Sequence, residues 1–247
     1  MPRTRATARA IADDGRRRRP ADGGYARGDE TRARIISAAI EVFGMHGFGG
    51  ASTRMLAESA GVTLPALHYY FDSKEGVYLA CAEHIAEQLD ERFRALTGRA
   101  AAALGEAAVP RTRLLELLLT VVDGFADFFL GAHELEKWVM FIIREQAQPT
   151  KAFDVIFERV MQRTFNTLAT LVSRLLERPA SDMEVRIRTF TLIGQLVFFR
   201  TAREAALRVT GWRDFDGDRL KFVKRVLRAQ IAAAFAPGQK SLRRRKS

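Results

Sequence analysis

Apolar residues recur along most of the chain three and four positions apart, the spacing that lines one face of an α-helix. Ile36, Ala39, Ile40 and Phe43 make one such stripe. Val77, Cys81, Ile85 and Leu89 make a second, and Phe153, Phe157, Val160, Thr164 and Leu171 a third. No stretch sustains the alternation of β-branched and polar residues that a strand needs, and no repeat recurs at a period of roughly 20–50 residues. Proline falls near the ends of the periodic segments, at Pro110, Pro149, Pro179 and Pro237. The pattern predicts an all-α fold.

Breakers and caps divide it. The first segment, 29–46, stops in the glycine-rich run "GMHGFGGAS". A short helix over 53–60 follows, with Ser52 or Thr53 as its N-cap and Gly61 as its C-terminal turn. Thr63 caps the next short helix, whose first turn tolerates Pro65. Asp72 is placed to cap a fourth helix, with Glu75 completing a capping box. That helix is expected to end near Leu96, before a small-residue linker over 98–110. Helices are then expected over 111–130, 134–147, 150–177, 181–209 and 215–236.

The last two have apolar residues on two faces. Met183, Ile187, Phe190, Gly194 and Val197 line one side of 181–209, and Leu192, Leu196 and Phe199 line another. Val223, Val226, Leu227, Ile231 and Phe235 give the final helix the same character. A helix apolar on two faces must bury both. One face serves the chain's own core; the other calls for a second copy of the chain.

Composition is that of a soluble globular protein, with 47% apolar and 28% charged residues. Cys81 is the single cysteine, expected to be a buried small hydrophobe, and the chain fits a reducing, cytoplasmic compartment. The first 28 residues lack the apolar core of a secretory signal. The most apolar stretch, 114–130, carries Glu116, Asp123 and Asp127 and is no membrane span.

The net charge of +11 sits in the two ends. Residues 1–28 hold Arg3, Arg5, Arg9, Arg16, Arg17, Arg18, Arg19 and Arg27 against Asp13, Asp14 and Asp22. Residues 237–247 hold Lys240, Arg243, Arg244, Arg245 and Lys246. Both read as disordered basic tails suited to nucleic acid or an anionic membrane, or as solubilising ends.

Two short helices joined by "AGVT" form a helix-turn-helix. The second must be short and thin to enter a major groove about 12 Å wide, and its N-terminal residues meet the bases. Thr63, Leu64, Pro65 and Ala66 are expected at base edges, where small apolar groups meet thymine methyls. Thr53, Arg54, Thr63, Tyr69, Tyr70 and Lys74 are available to phosphates. Leu67 and Phe71 read as core, and Tyr70 as either.

At these residues the sequence resembles a known family. "TRARIISAAIEVFGMHGFGGASTRMLAESAGVTLPALHYYFDSKEGVYLA" resembles the N-terminal domain of the TetR family of bacterial transcriptional repressors. "FIIREQAQPTKAFDVIFERVM" and "LIGQLVFFRTAREAALRVTGW" are similar to the C-terminal domain of the CecR-like subgroup. The resemblance implies an all-α homodimer. Its domains would be a three-helix DNA-binding domain over 29–75 and a larger helical effector-binding and dimerisation domain over 76–236, flanked by the tails 1–28 and 237–247. The last two helices would pair with a partner's in a four-helix interface. His68 stands where the family often has a tyrosine that touches the DNA backbone, so it becomes a candidate phosphate contact, with Tyr69 beside it.

Residues 29–75 hold Arg32, Arg34, Arg54 and Lys74 against Asp29, Glu30, Glu41, Glu58, Asp72 and Glu75, a net of −2. The basic N-terminal arm is the expected source of the missing phosphate attraction. No cofactor, metal or catalytic residue is expected. The histidines His46, His68, His84 and His133 lack metal-site spacing, and no nucleophile, P-loop or dinucleotide motif is present. The alternatives are a ligand-independent architectural protein and, further off, a helical-bundle enzyme using His133 and Glu134. The reading is a DNA-binding regulator, a repressor released from a palindromic operator by a small hydrophobic or aromatic effector. Phe125, Phe128, Phe129, Trp138, Phe141, Phe153, Phe157 and Phe190 form an aromatic set for such an effector or for a packed core. Arg144 and Glu145 lie between apolar segments, where they would orient the effector, pair with each other or meet solvent.

Overall fold

The computed structural model describes residues 22–131 and 136–236. The arm 1–21, His133, Glu134 and the tail 237–247 lie outside them. Among the described residues all regular structure is helical. The helices are α1 (Asp22–Gly50), α2 (Thr53–Ser59), α3 (Leu64–Tyr70), α4 (Lys74–Leu104), α5 (Arg111–Ala126), α6 (Glu136–Ala147), α7 (Lys151–Ile156), α8 (Gln162–Leu176), α9 (Met183–Thr201), α10 (Arg203–Thr210) and α11 (Gly217–Ala234). The expected stripes on α1 and α4 face inward: Ile36, Ala39, Ile40, Phe43, Val77, Cys81, Ile85 and Leu89 are all buried. α4 lies against α1 on one side and α5, α7 and α8 on the other, so it spans both halves of the molecule.

Several boundaries differ from those read in the sequence, each for a physical reason. α1 begins at Asp22 rather than near Asp29, and leaves helical geometry at Gly47, where φ is 70°. α4 is capped by Ser73, whose hydroxyl accepts from the Gly76 amide at 3.0 Å, and not by Asp72. Glu75 meets Lys151 of α7 at 3.2 Å. α4 continues to Leu104, well past Leu96. The "RAAAAL" segment has high helix propensity, and Ala100 and Ala103 are buried. The segment 181–209 is two helices, because Ala202 (φ −105°, ψ 33°) breaks the ladder. Thr201 just before it returns its hydroxyl to the Phe198 carbonyl at 3.4 Å, a back-bond that bends helices. The segments 111–130 and 150–177 each contain a π-helical turn, Asp127–Gly131 and Phe157–Met161.

Helix ends leave carbonyls without N–H partners, and here arginines from other helices meet many of them. Arg111 donates to the Phe235 carbonyl at 2.6 Å and to that of Leu175, joining the ends of α8 and α11 to the start of α5. Arg174 donates to Leu104 at the end of α4, 2.6 Å away, and Arg188 to Ala234 at the end of α11, 3.2 Å away. Each cation also sits at the negative pole of the helix it meets.

The two faces expected on α9 separate in part, with Gly194, Val197 and Phe199 half-buried. Val185, Thr189, Leu192 and Leu196 are buried, while Met183, Ile187, Phe190 and Phe198 are exposed. On α11, Val223, Leu227 and Ile231 are buried, and Phe222 and Val226 are exposed. A Cβ added at Gly194 meets nothing within 4 Å.

Because Arg111 makes charge-assisted bonds to two helix ends, Arg111→Ala is expected to lower unfolding free energy by about 2–3 kcal/mol. Arg111→Lys should recover only part, since an ammonium lacks the guanidinium's planar fork. Urea unfolding followed by circular dichroism checks both.

Candidate nucleic-acid interface

α2 and α3 are short, and each is capped by its own sequence. The Ser52 hydroxyl accepts from the Met55 amide at 3.2 Å, and the Thr63 hydroxyl from the Ala66 amide at 3.3 Å. Between them Gly61 takes φ 61°, a conformation that suits glycine. There the Val62 amide turns back to Ala57 at 2.9 Å and the Gly61 amide to Glu58 at 3.0 Å. Buried Leu56, Leu67 and Phe71 join the core cluster to which α1 and α4 also contribute, and the Arg32 guanidinium lies over the Phe71 ring at 5.2 Å.

With Leu67 inward, α3 presents Leu64, Pro65, His68 and Tyr69 on one outer face. Tyr69 is 84% exposed. Thr63 is exposed at the head of the helix and Ala66 half-buried at the edge of that face; on α2 Arg54 is exposed and Thr53 half-buried. These eight candidates therefore lie on the two adjoining helices. Tyr70 is half-buried against the core, edge-on to Tyr69 at 5.2 Å.

Lys74 is different. Its ammonium donates to the Phe48 carbonyl at 2.9 Å and the Ala51 carbonyl at 3.1 Å, 4.4 Å from the centre of the Phe48 ring. It clamps the α1–α2 turn instead of standing out toward a phosphate, a role that needed knowledge of where that turn lies.

The aromatic set expected to line one effector site is dispersed. Phe125 is buried and Phe128 half-buried, in a cluster with Phe93 and Phe129 at ring distances of 4.8–6.2 Å. Phe141 is buried elsewhere, 4.6 Å from the Tyr78 ring. Trp138 is half-buried under the Arg92 guanidinium at 5.2 Å, with His84 at its edge. Burial of the His84 imidazole lowers its pKa, against a smaller opposing pull from Glu87. Phe157 is exposed and stacked on Phe153 at 5.7 Å, and Phe190 points out of the α9 face, 70% exposed. Arg144 and Glu145 line neither of the two clefts described below. Arg144 donates to the carbonyls of Gly44 and Met45 on α1, and Glu145 accepts from Tyr78 and Thr150. Spacing placed these side chains on helices, but which helix faces which is a property of the fold.

Two clefts among the described residues are lined mainly by polar side chains. One of about 460 Å³ separates α1 from α4 and α8, lined by Arg32, Glu83, His84, Glu87, Arg159 and Arg163 among others. A second of about 410 Å³ runs between α4 and α8 past Glu158, Gln162 and Asn166. No helix among the described residues is long and apolar enough to cross a membrane.

Residues 35–81 match the family described as bacterial regulatory proteins, tetR family. Residues 114–236 match the C-terminal domain of the HTH-type transcriptional dual regulator CecR. The HTH-type transcriptional dual regulator CecR of Shigella flexneri is 31% identical over 205 residues, covering 83% of this chain and 91% of that protein. Among solved structures, AibR in complex with isovaleryl coenzyme A and operator DNA has a TM-score of 0.54 at 14% identity, covering 83% of this chain and 95% of that one. FadR from Bacillus subtilis in complex with stearoyl-CoA has a TM-score of 0.52 at 18% identity, covering 84% and 99%. At those identities the two structures share a fold with this chain. The exposed, doubly capped helix pair, the helical second domain and the relative that matches across both agree: the chain belongs to the TetR family of bacterial transcriptional regulators, with a CecR-type C-terminal domain.

Proposed function

We propose that this regulator acts in the cytoplasm as a homodimeric repressor on a palindromic operator, which it leaves when a small molecule with a large apolar part binds its C-terminal half. The observation that carries the reading is α3. It is barely two turns long, anchored by Leu67, and turns Leu64, Pro65, His68 and Tyr69 outward together. Thr63, Leu64, Pro65 and Ala66 meet base edges; Thr53, Arg54, His68 and Tyr69 meet phosphates. The basic N-terminal arm, 1–28, adds the attraction that 29–75, at −2, lacks.

A dimer is supported by the α9 and α11 faces. Met183, Ile187, Phe190, Phe198, Phe222 and Val226 are exposed together, an apolar patch of the kind soluble monomers rarely leave open. Two-fold pairing of that patch buries it and sets two α3 helices against two half-sites. An apolar effector is supported by the fold shared with proteins solved with isovaleryl and stearoyl coenzyme A. Within this chain the Phe93, Phe125, Phe128 and Phe129 cluster is its place of entry, through half-buried Phe128.

Selection from a random duplex pool with the full chain should return inverted repeats. Ala66→Glu brings a carboxylate to the groove in each half-site. It is expected to weaken selected-site binding roughly 30-fold or more, taking about 1–3 kcal/mol per half-site. Unchanged footprints would remove α3 as the reader.

Gly194→Arg places a charge in the α9 face and is expected to give monomers in sedimentation at micromolar concentration, with operator binding abolished. A wild-type chain that sediments as a monomer there would end the dimer reading.

Acyl-coenzyme A thioesters of increasing chain length, at 100 times their dissociation constant, should each stabilise the protein by about 2.7 kcal/mol. They should also release the selected operator. A thermal shift series with no response at any chain length would exclude this effector class.

A further inference from the structure

α6 belongs to the C-terminal half, yet it reaches the DNA-binding half directly. The backbone of α1 leaves helical geometry at Gly47 (φ 70°, ψ 175°), so the turn just before it presents helix-end carbonyls. The Arg144 guanidinium covers two of them: Nε donates to Gly44 O at 2.8 Å and Nη2 to Met45 O at 2.7 Å. A Cβ at Gly47 would lie 3.2 Å from Nη1, so glycine there serves both the turn and the close approach of the guanidinium. Lys74 holds the far side of the same turn through Phe48 O and Ala51 O.

The neighbouring Glu145 is 2% exposed. Its carboxylate accepts from Tyr78 Oη of α4 at 2.5 Å, and from the amide and hydroxyl of Thr150 at 3.0 and 2.9 Å. The Tyr78 ring is wedged among Phe43, Phe48 and Phe141 at 4.6–5.0 Å. Burial, then the bond to Glu145, raise the Tyr78 pKa above its usual value, so the phenol stays a donor. A buried carboxylate is tolerated only while its hydrogen bonds are made. A shift of α6 that breaks one exposes the penalty for the others, so the contact favours a fully seated or a fully released helix over intermediates.

We propose that Arg144 and Glu145 are positioning residues for DNA reading: seated α6 fixes the turn over 44–50, and with it the angle of α2 and α3, through Arg144 on α1 and Glu145 on Tyr78. Neither residue touches DNA. Displacement of α6 by events in the C-terminal half then frees the reading head without passing through the length of α4. The inference rests on the reading that α3 meets the operator.

Two measurements separate the inference from that reading. The first needs no DNA. Tyr78→Phe and Arg144→Lys keep side-chain bulk, and Arg144→Ala removes it. Each is expected to raise amide hydrogen exchange over residues 44–51 tenfold or more, leaving α9 and α11 unchanged. The second is anisotropy on the selected operator across a salt series. Arg144→Ala and Tyr78→Phe should lower specific affinity tenfold or more at an unchanged salt slope and unchanged affinity for random duplex, and Arg144→Lys should recover part. Arg54→Ala, which removes a cation from a phosphate, should instead flatten the slope by about 0.9 for each phosphate no longer neutralised. A merely structural role would lower the melting temperature while leaving exchange over 44–51 and specific affinity of the folded protein at wild-type values, and that result overturns the inference. If wild-type protein selects no operator, the DNA reading fails, and the exchange experiment still decides whether α6 holds the turn.

Discussion

A helix that stops inside a protein leaves carbonyls that must find donors, and an all-helical chain creates that demand at every turn. In this protein cations from distant helices meet it. Arg111, Arg144, Arg174 and Arg188 each donate to the end of another helix, and Lys74 grips the turn after α1. Each such bond fixes the position of one helix end relative to another helix. Two of them reach the end of α1: Arg144 ties it to α6, and Lys74 ties its turn to α4.

The reading head itself is held more locally. Ser52, Thr63 and Ser73 cap three successive helices within about twenty residues, and Gly61 makes the turn between the first two. Local capping sets the shapes of α2 and α3; buried Leu56, Leu67 and Phe71 set their orientation. What remains outward on α3 is chemically mild, with one imidazole, one phenol and small apolar groups. That composition suits groove contact combined with phosphate attraction from elsewhere in the chain.

The C-terminal half shows why a residue's type is a poor guide to its role in a helical bundle. Phenylalanines at helical spacing went to four destinations: the cluster around Phe125, the Tyr78 wedge that holds Phe141, the Phe153–Phe157 stack, and the exposed α9 face that carries Phe190. All four are consistent with the same one-dimensional pattern. The two π-helical turns, each adding a residue to a helical circuit, further shift which side chains face inward beyond Asp127 and beyond Phe157.

By itself the sequence determined the all-α class, the helix-turn-helix, the cap at Thr63, the choice of Ser52 or Thr53 for α2, the turn at Gly61, and part of the two faces of α9. These follow from local rules: 3.6-residue periodicity, hydroxyl capping, and the positive φ that glycine accepts. The resemblance of residues 31–80 to a DNA-binding domain was legible for the same reason, because its motif lies in one unbroken stretch. Tertiary structure alone decided that Ser73 and not Asp72 caps α4, that Lys74 faces the α1 turn, and that α4 runs on to Leu104 over buried alanines. It also decided that Arg144 reaches the carbonyls of α1 and that Glu145 meets Tyr78 of α4. The partners of Arg144 lie about a hundred residues away along the chain, and they are backbone carbonyls, which every residue carries and no sequence pattern marks.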